Sequence, residues 1–338
     1  MARKGGWKRV GSRGRFRYVD VRGNAITDED QLERIRALVI PPAWKEVWIS
    51  PSAGAKLQAT GIDAAGRRQY LYHANFRAQQ KQAKFDRLIR FAERLPDLRA
   101  AAAEHLSHDT FDRLRVSALA ARLINAGWFR VGSERYARES RTYGITTLRK
   151  SHVHVRGNRI AFDFRAKHRT VVRTTLVDEE LAEAVKELLA LPGGPRLFRY
   201  EWEGGRCNLT GARLNDYVRE YLGDAFTAKD FRTWGGTLTA AIALAERGPP
   251  ESESEAKRVI PAVMRHVGKE LGNTPAVALS SYVSPAVIDQ YLDGRTIDDF
   301  RPRHLRVVRA SDIDLDPEEQ ALLSLLRSWK IRQSRAAA

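Results

Sequence analysis

The sequence predicts an α+β chain in two parts. A small, mostly β N-terminal domain covers residues 1–82, and a larger, mainly α-helical domain covers 83–338 and contains a small three-stranded antiparallel sheet. Three observations carry this. Between residues 15 and 75, short period-two runs are separated by turn residues. From about Gln79 the apolar spacing becomes helical and stays so for most of the chain. The exception is one strand-rich island, residues 148–176. At 338 residues, 43% hydrophobic and 29% charged, the chain has apolar material for two cores.

In the N-terminal part, Phe16 to Val21, Val47 to Ser50, Lys56 to Thr60 and Arg68 to His73 read as strands. Thr27-Asp28-Glu29-Asp30 opens a short helix to Val39, which Pro41-Pro42 ends. In RRQYLYH the strand period puts Arg68, Tyr70 and Tyr72 on one face and Gln69, Leu71 and His73 on the other. Arginines and rings on one face suit a phosphate backbone, although a tyrosine ladder on a sheet reads equally well. Helices follow: a basic linker helix, then Leu88 to Leu95, Ala100 to His105, and Arg113 to Ala126, ending at Gly127. The island divides into Ser151 to Val155, Ile160 to Phe164 and Thr170 to Thr174, with turns at Arg156-Gly157-Asn158 and Ala166 to Arg169. It is expected to be the only strand-rich part of the second half. Helices resume at Asp178 to Leu191, after Thr210 to Leu222, and at Thr227 to Thr239, and again at Ala286 to Leu292 and Pro317 to Trp329.

Lysine and arginine number 58 against 41 acidic residues, a net charge of +17 and a pI near 10.2, which points to a polyanionic partner, nucleic acid first. Residues 1–82 hold 16 basic and 7 acidic side chains, and Arg130 to Arg173 holds 12 and 3, so two separated basic surfaces are expected to grip from two sides. The single Cys207 rules out an intramolecular disulfide and a cysteine-rich zinc site. No apolar h-region and no 18-residue apolar run occurs, so a cytoplasmic chain without a membrane segment is expected. GIDAAGRR at 61–68 has the outline of a P-loop but lacks its lysine and the following serine or threonine, so no nucleotide cofactor is expected. His152 and His154, read as sharing a strand face, lack a nearby carboxylate cluster and make a poor metal site.

The most informative stretch is GKELGNTPAVALSSY, residues 268–282. Gly272 suits a helix C-terminus, and Thr274-Pro275 opens a short helix through Ser281. Ser284-Pro285 begins the next, so Tyr282 falls where one helix stops and another starts. Arg130 lies just past a predicted helix end beside two aromatics. Lys167 falls on a hairpin turn, and Lys229 and Arg232 sit three apart on one helix.

Together, Arg130, Lys167, Arg232, Asn273 and Tyr282 are two guanidiniums, an ammonium, an amide and a phenol. Their contexts, FRVGSERY, FDFRAKHR, KDFRTWG, LGNT and SSY, together with RRQYLYH, resemble the type IB DNA topoisomerases, specifically the compact poxvirus-like and bacterial branch, over nearly the whole chain. The resemblance implies the tyrosine recombinase/topoisomerase IB catalytic fold and an isomerase that relaxes supercoiled duplex DNA without ATP or metal. Tyr282 would be the nucleophile of a 3′-phosphotyrosyl bond, Arg130 and Arg232 would hold the nonbridging oxygens, and Lys167 would be the general acid. Where the commonest family pattern has histidine this chain has Asn273, which can donate a hydrogen bond but carry no proton. The resemblance further implies DNA contacts at Arg67, Arg68, Gln69, Tyr70, Tyr72, Arg135, Tyr136 and Lys229, and a monomer clamping duplex DNA between two domains at the nucleoid. A tyrosine recombinase and a non-enzymatic DNA-packaging protein are the rival readings.

Overall fold

In the computed structural model, residues 5–12, 14–301 and 313–336 are described. The chain divides into two compact units, Met1–Lys84 and Phe85–Ala338.

The first unit is built on an antiparallel five-stranded sheet of order β2-β1-β3-β4-β5: β1 Trp7–Val10, β2 Arg17–Val19, β3 Lys45–Ile49, β4 Leu57–Ile62 and β5 Arg68–Tyr72. Helix α1, Glu29–Ala37, starts at Asp28, whose side chain accepts from the Gln31 N–H, and buries Ile35 with Val47, Ile49 and Ala59. Strand β1 is an addition to the strands expected from the sequence, being a four-residue run with two basic side chains. Gly61 lies inside β4, where a Cβ would stand 2.7 Å from the Trp44 ring, so it serves packing rather than a phosphate loop. The Asp63 carboxylate closes the β4–β5 turn by accepting from the Ala65 and Arg67 N–H groups and from the Arg67 and Gln69 side chains.

Helix α2 runs unbroken from Ala74 to Leu106, where the sequence suggested separate segments. Pro96 lies inside it. An interior proline costs about 3 kcal/mol in helix stability, yet Phe91, Ala92, Leu95 and Leu98, all within 2% of complete burial, line one continuous face. Burying that face outweighs the lost hydrogen bond.

Helices α3 (Arg113–Gly127) and α4 (Glu134–Glu139) precede a sheet of order β6-β7-β8, formed by Val153–Arg156, Arg159–Arg165 and Val171–Val177. Ile160, Phe162 and Phe164 alternate inward along β7, and Phe162 pairs with Thr174. The β7–β8 turn contains two successive left-handed non-glycine residues, His168 (φ 61°) and Arg169 (φ 59°). His152 lies in a short 3₁₀ turn before β6 rather than on a strand with His154, and its ring centroid is 4.4 Å from that of Tyr143, the planes inclined by 60°. After α5 (Glu179–Ala190) comes a hairpin the sequence reading did not foresee, β9 (Arg199–Trp202) and β10 (Gly205–Asn208), so the three-stranded sheet is not the only strand-rich part of this half. Its two-residue turn is Glu203-Gly204, both at positive φ, a turn usually signalled by asparagine-glycine.

The remaining helices are α6 (Gly211–Leu222), α7 (Ala228–Ala245), α8 (Glu253–Leu271), α9 (Pro275–Ser281), α10 (Pro285–Leu292) and α11 (Pro317–Ala336). The last is tied down by Glu319, 4% exposed. Its carboxylate accepts from both Nη atoms of Arg99 on α2 (2.8 and 2.9 Å), from Trp234 Nε1 on α7 (3.0 Å) and from the Asp316 N–H (3.2 Å). No described helix is long and apolar enough to cross a membrane.

Candidate active site

Three helix C-termini, those of α3, α8 and α9, and the first half of α7 make the site. Helix α8 ends at Gly272 in the left-handed conformation (φ 59°), with the Gly272 N–H returning to Lys269 O and the Asn273 N–H to Gly268 O. Gly268 permits that reversal, since a Cβ there would meet Asn273 O at 2.8 Å. The outermost carbonyls, Leu271 and Gly272, have no intrahelical partner and lie at the negative end of the helix dipole. Cations fill both positions. Arg232 Nη2 donates to Leu271 O at 2.6 Å, Arg130 Nη2 donates to Gly272 O at 2.9 Å, and Asn273 Nδ2 also donates to Leu271 O, at 3.1 Å.

Helix α3 ends in the same way. Trp128 is left-handed (φ 48°), and its carbonyl accepts from Arg232 Nη1. The indole packs on α7 at Gly235, where a Cβ would lie 2.3 Å from the ring. Two residues on, Arg130 meets Asn273, whose Oδ1 accepts from Arg130 Nη2 at 2.9 Å. A cavity of about 340 Å³ opens here, lined by Arg130, Tyr143, Thr170, Arg232, Leu271 and Gly272.

Among the described residues neither Arg130 nor Arg232 pairs with a carboxylate, and Arg232 is 5% exposed with its Nε lacking a partner. The contrast with Arg99, largely buried but neutralised by Glu319, is informative. Burial and the neighbouring Arg130 push the Arg232 guanidinium down to about 10, still far enough above neutrality to keep it charged. Burial lowers Arg130 as well. A buried cation without a counter-ion is costly, and perturbed groups of this kind mark sites where a ligand supplies the missing charge.

Tyr282 is the C-cap of α9, half-buried, with the Arg232 guanidinium 5.2 Å from its ring centroid. Burial raises its phenol, but the charge and hydrogen bond of Arg232, then Arg130 and Lys229, outweigh it, so the group sits below its ordinary value. Gly236 lets α7 approach, because a Cβ there would stand 3.0 Å from Tyr282 Cβ.

The structure thus gathers Arg130, Arg232, Asn273 and Tyr282. Lys167 is exposed on the β7–β8 turn, its ammonium without a hydrogen bond or ion pair among the described residues, while Ala166 and Thr170 beside it line the cavity. Of the other candidates, Tyr70 and Tyr72 are exposed and stacked at 6.2 Å, and Arg68 lies 4.0 Å from Glu46. Arg67 and Gln69 hold Asp63, whose carboxyl the Arg67 hydrogen bonds lower to about 2. Arg135 pairs with Glu139 at 3.0 Å, Tyr136 is exposed, and Lys229 is exposed at the start of α7. Sequence reasoning missed Thr237 on α7, whose buried hydroxyl reaches the Tyr282 main chain. Its signal was Gly235-Gly236 beside it. Each glycine costs a helix interior about 1 kcal/mol relative to alanine, so two in succession imply close packing.

Residues 73–296 match the eukaryotic DNA topoisomerase I catalytic core, and residues 15–63 match the bacterial DNA topoisomerase IB N-terminal domain. The chain is 31% identical over 285 residues to DNA topoisomerase 1B of Acanthamoeba polyphaga mimivirus, covering 82% of this chain and 84% of that protein. It is 22% identical over 265 residues to DNA topoisomerase 1B of vaccinia virus (strain Copenhagen), covering 77% and 79%, and 22% identical over 246 residues to DNA topoisomerase 1 of rabbit fibroma virus (strain Kasza), covering 70% and 72%. With two thirds of its length matching the catalytic core, the chain belongs to the type IB DNA topoisomerase family.

Proposed function

We propose that this topoisomerase relaxes supercoiled duplex DNA by cutting one strand through a covalent bond to Tyr282, letting the strand rotate and resealing it. The observation that carries the reading is the buried, charged Arg232 without a carboxylate partner, set over the Tyr282 ring. A phosphodiester supplies the missing anion. The Tyr282 oxygen attacks phosphorus and gives up its proton to solvent as the bond to the 5′ oxygen breaks. Lys167, on its exposed turn, hands that oxygen a proton. The product is a 3′-phosphotyrosine and a free 5′ hydroxyl. Arg130 and Arg232 take the charge building on the nonbridging oxygens, and Asn273 holds Arg130 by its carbonyl while its remaining amide hydrogen is available to the phosphate. Religation runs the same steps backward. Because the phosphotyrosine conserves the energy of the broken phosphodiester, neither ATP nor a metal ion is required by the scheme. Each basic unit binds the duplex, the exposed Tyr70 and Tyr72 against the backbone, with the protein acting as a monomer on the nucleoid.

The test is incubation with supercoiled plasmid in EDTA without ATP, followed by denaturation. Relaxed circles are expected, with protein attached to a 3′ end through residue 282, and Tyr282→Phe yielding neither. Nicked DNA without attached protein refutes the mechanism.

A further inference from the structure

We infer that Thr237 is the positioning residue for the nucleophile: its hydroxyl fastens the main chain at Tyr282 and Ser284 to α7, the helix that carries Arg232. The inference rests on Tyr282 being the attacking group.

Thr237 is completely buried. Its Oγ1 lies 2.7 Å from Thr233 O and 3.0 Å from Tyr282 O, and accepts from the Ser284 N–H at 3.2 Å. A hydroxyl has one proton, so it is shared between the two carbonyls, while the oxygen lone pairs take the Ser284 N–H throughout. The link between α9 and α10 depends on this. The Tyr282 and Val283 N–H groups both return to Ala278 O, at 2.9 and 3.1 Å, and Pro285 has no N–H to offer. Among the described residues Thr237 Oγ1 is the acceptor for the Ser284 N–H, in a segment where Val283 and Ser284 are 1% and 2% exposed.

The geometric effect is specific. Arg232 and Thr237 sit on one rigid helix, so whatever fixes Tyr282 to Thr237 also fixes it to the guanidinium over its ring. The phenol oxygen is at the far end of a long side chain, and a small main-chain shift at residue 282 is magnified there. Misplacement of reacting groups by about 1 Å can cost roughly 10²-fold in rate. Gly236, one position before, clears the space that lets the two backbones meet.

The experiment is single-turnover formation of the covalent protein–DNA adduct on a duplex oligonucleotide, with rate, amplitude and half-saturating DNA concentration measured for Thr237→Val, Thr237→Ala and Thr237→Ser. Valine keeps the shape and removes the hydroxyl, and serine keeps the hydroxyl. The expected result is an adduct rate about 10- to 100-fold lower for valine and alanine, with full amplitude and half-saturating DNA within about two-fold of the parent, and serine within about three-fold of the parent rate. If valine does not fold, the serine–alanine pair decides by the same measure. The proposal is overturned if valine, or alanine in its place, reacts at the parent rate, if serine is as slow as alanine, or if amplitude falls at constant rate, which would be loss of folded protein only. An unmodified chain that forms no adduct at residue 282 removes the proposed function and this inference together. A parent and a valine variant that react alike remove this inference alone.

Discussion

Glu319→Ala should remove about 3–5 kcal/mol of stability from the larger unit. The carboxylate is 5% exposed and receives four donors, two of them the forked Nη atoms of Arg99, which is itself 10% exposed. Truncating it leaves Arg99, among the described residues, with only the Asp314 carbonyl, at 2.7 Å, and strands a largely buried positive charge. Breaking one side of such a pair costs on the order of 3–5 kcal/mol. The orphaned Trp234 N–H pushes the figure toward the upper end, since a buried unpaired donor costs about 1–3 kcal/mol and the two losses are not additive. An internal control is Lys257→Ala, which breaks the Lys257–Glu253 pair on a surface where the side chains are 74% and 79% exposed. It should cost no more than about 1 kcal/mol. The assay is urea unfolding followed by far-ultraviolet circular dichroism, which reports the helices of this unit. Equal midpoint shifts for the two variants would refute the argument that Glu319 is a buried counter-ion linking α11, α2 and α7.

The phenol of Tyr282 is held below its ordinary value by Arg232 against the opposing effect of burial, so cleavage should rise toward a plateau that begins below the usual phenol range. Arg232→Ala leaves burial unopposed by its largest counterweight, so the rising limb should move to higher pH, as measured by adduct formation across a pH series; an unmoved limb contradicts the assignment. Asn273→Ala should slow cleavage by about 10²-fold without moving that limb, because the amide orients Arg130 and carries no proton; a shifted limb would give it an acid–base role. Gly235→Ala forces a methyl to within 2.3 Å of the Trp128 ring, whose residue's carbonyl holds Arg232. It should cost about 1–3 kcal/mol in thermal or urea unfolding and reduce cleavage, and full activity would show that Trp128 can move freely. DNA affinity should fall steeply and linearly on a log–log plot against salt if phosphate contacts dominate, and a flat response would exclude that.

Which residues meet at the candidate site was legible because the signal resides in residue type and order. Two arginines, an amide and a tyrosine in recognisable surroundings announce themselves without a fold, and the helix boundaries around Gly272 and Pro285 follow from local backbone rules. What each cation is doing was not legible. Charge counting treats Arg67, Arg99 and Arg232 alike, yet the first braces a turn through Asp63, the second neutralises Glu319, and the third is left without a carboxylate. Those differences depend on partners up to 220 residues away. Thr237 showed only indirectly, through Gly235-Gly236 beside it, because its hydroxyl acts 45 residues along the chain on a main-chain atom that has no sequence signature. Local rules also lost outright in two places. Burial carried α2 through Pro96, and Glu203-Gly204 made a hairpin without the usual turn residues.

The hairpin tip that bears Lys167 has a consequence for how its sheet assembles. His168 and Arg169 hold a conformation that disfavours side chains by roughly 1–2 kcal/mol each, where asparagine and glycine would rest without strain. The Ala166 N–H bond to Thr170 O, at 2.7 Å, closes the tip, but the strain of these two residues works against it. The alignment of the strands is dictated from the opposite direction, by Ile160, Phe162 and Phe164, which could not all stay covered if β7 slipped by one position. In this hairpin the hydrophobic floor sets the register, and the crest is left free to display three consecutive basic side chains.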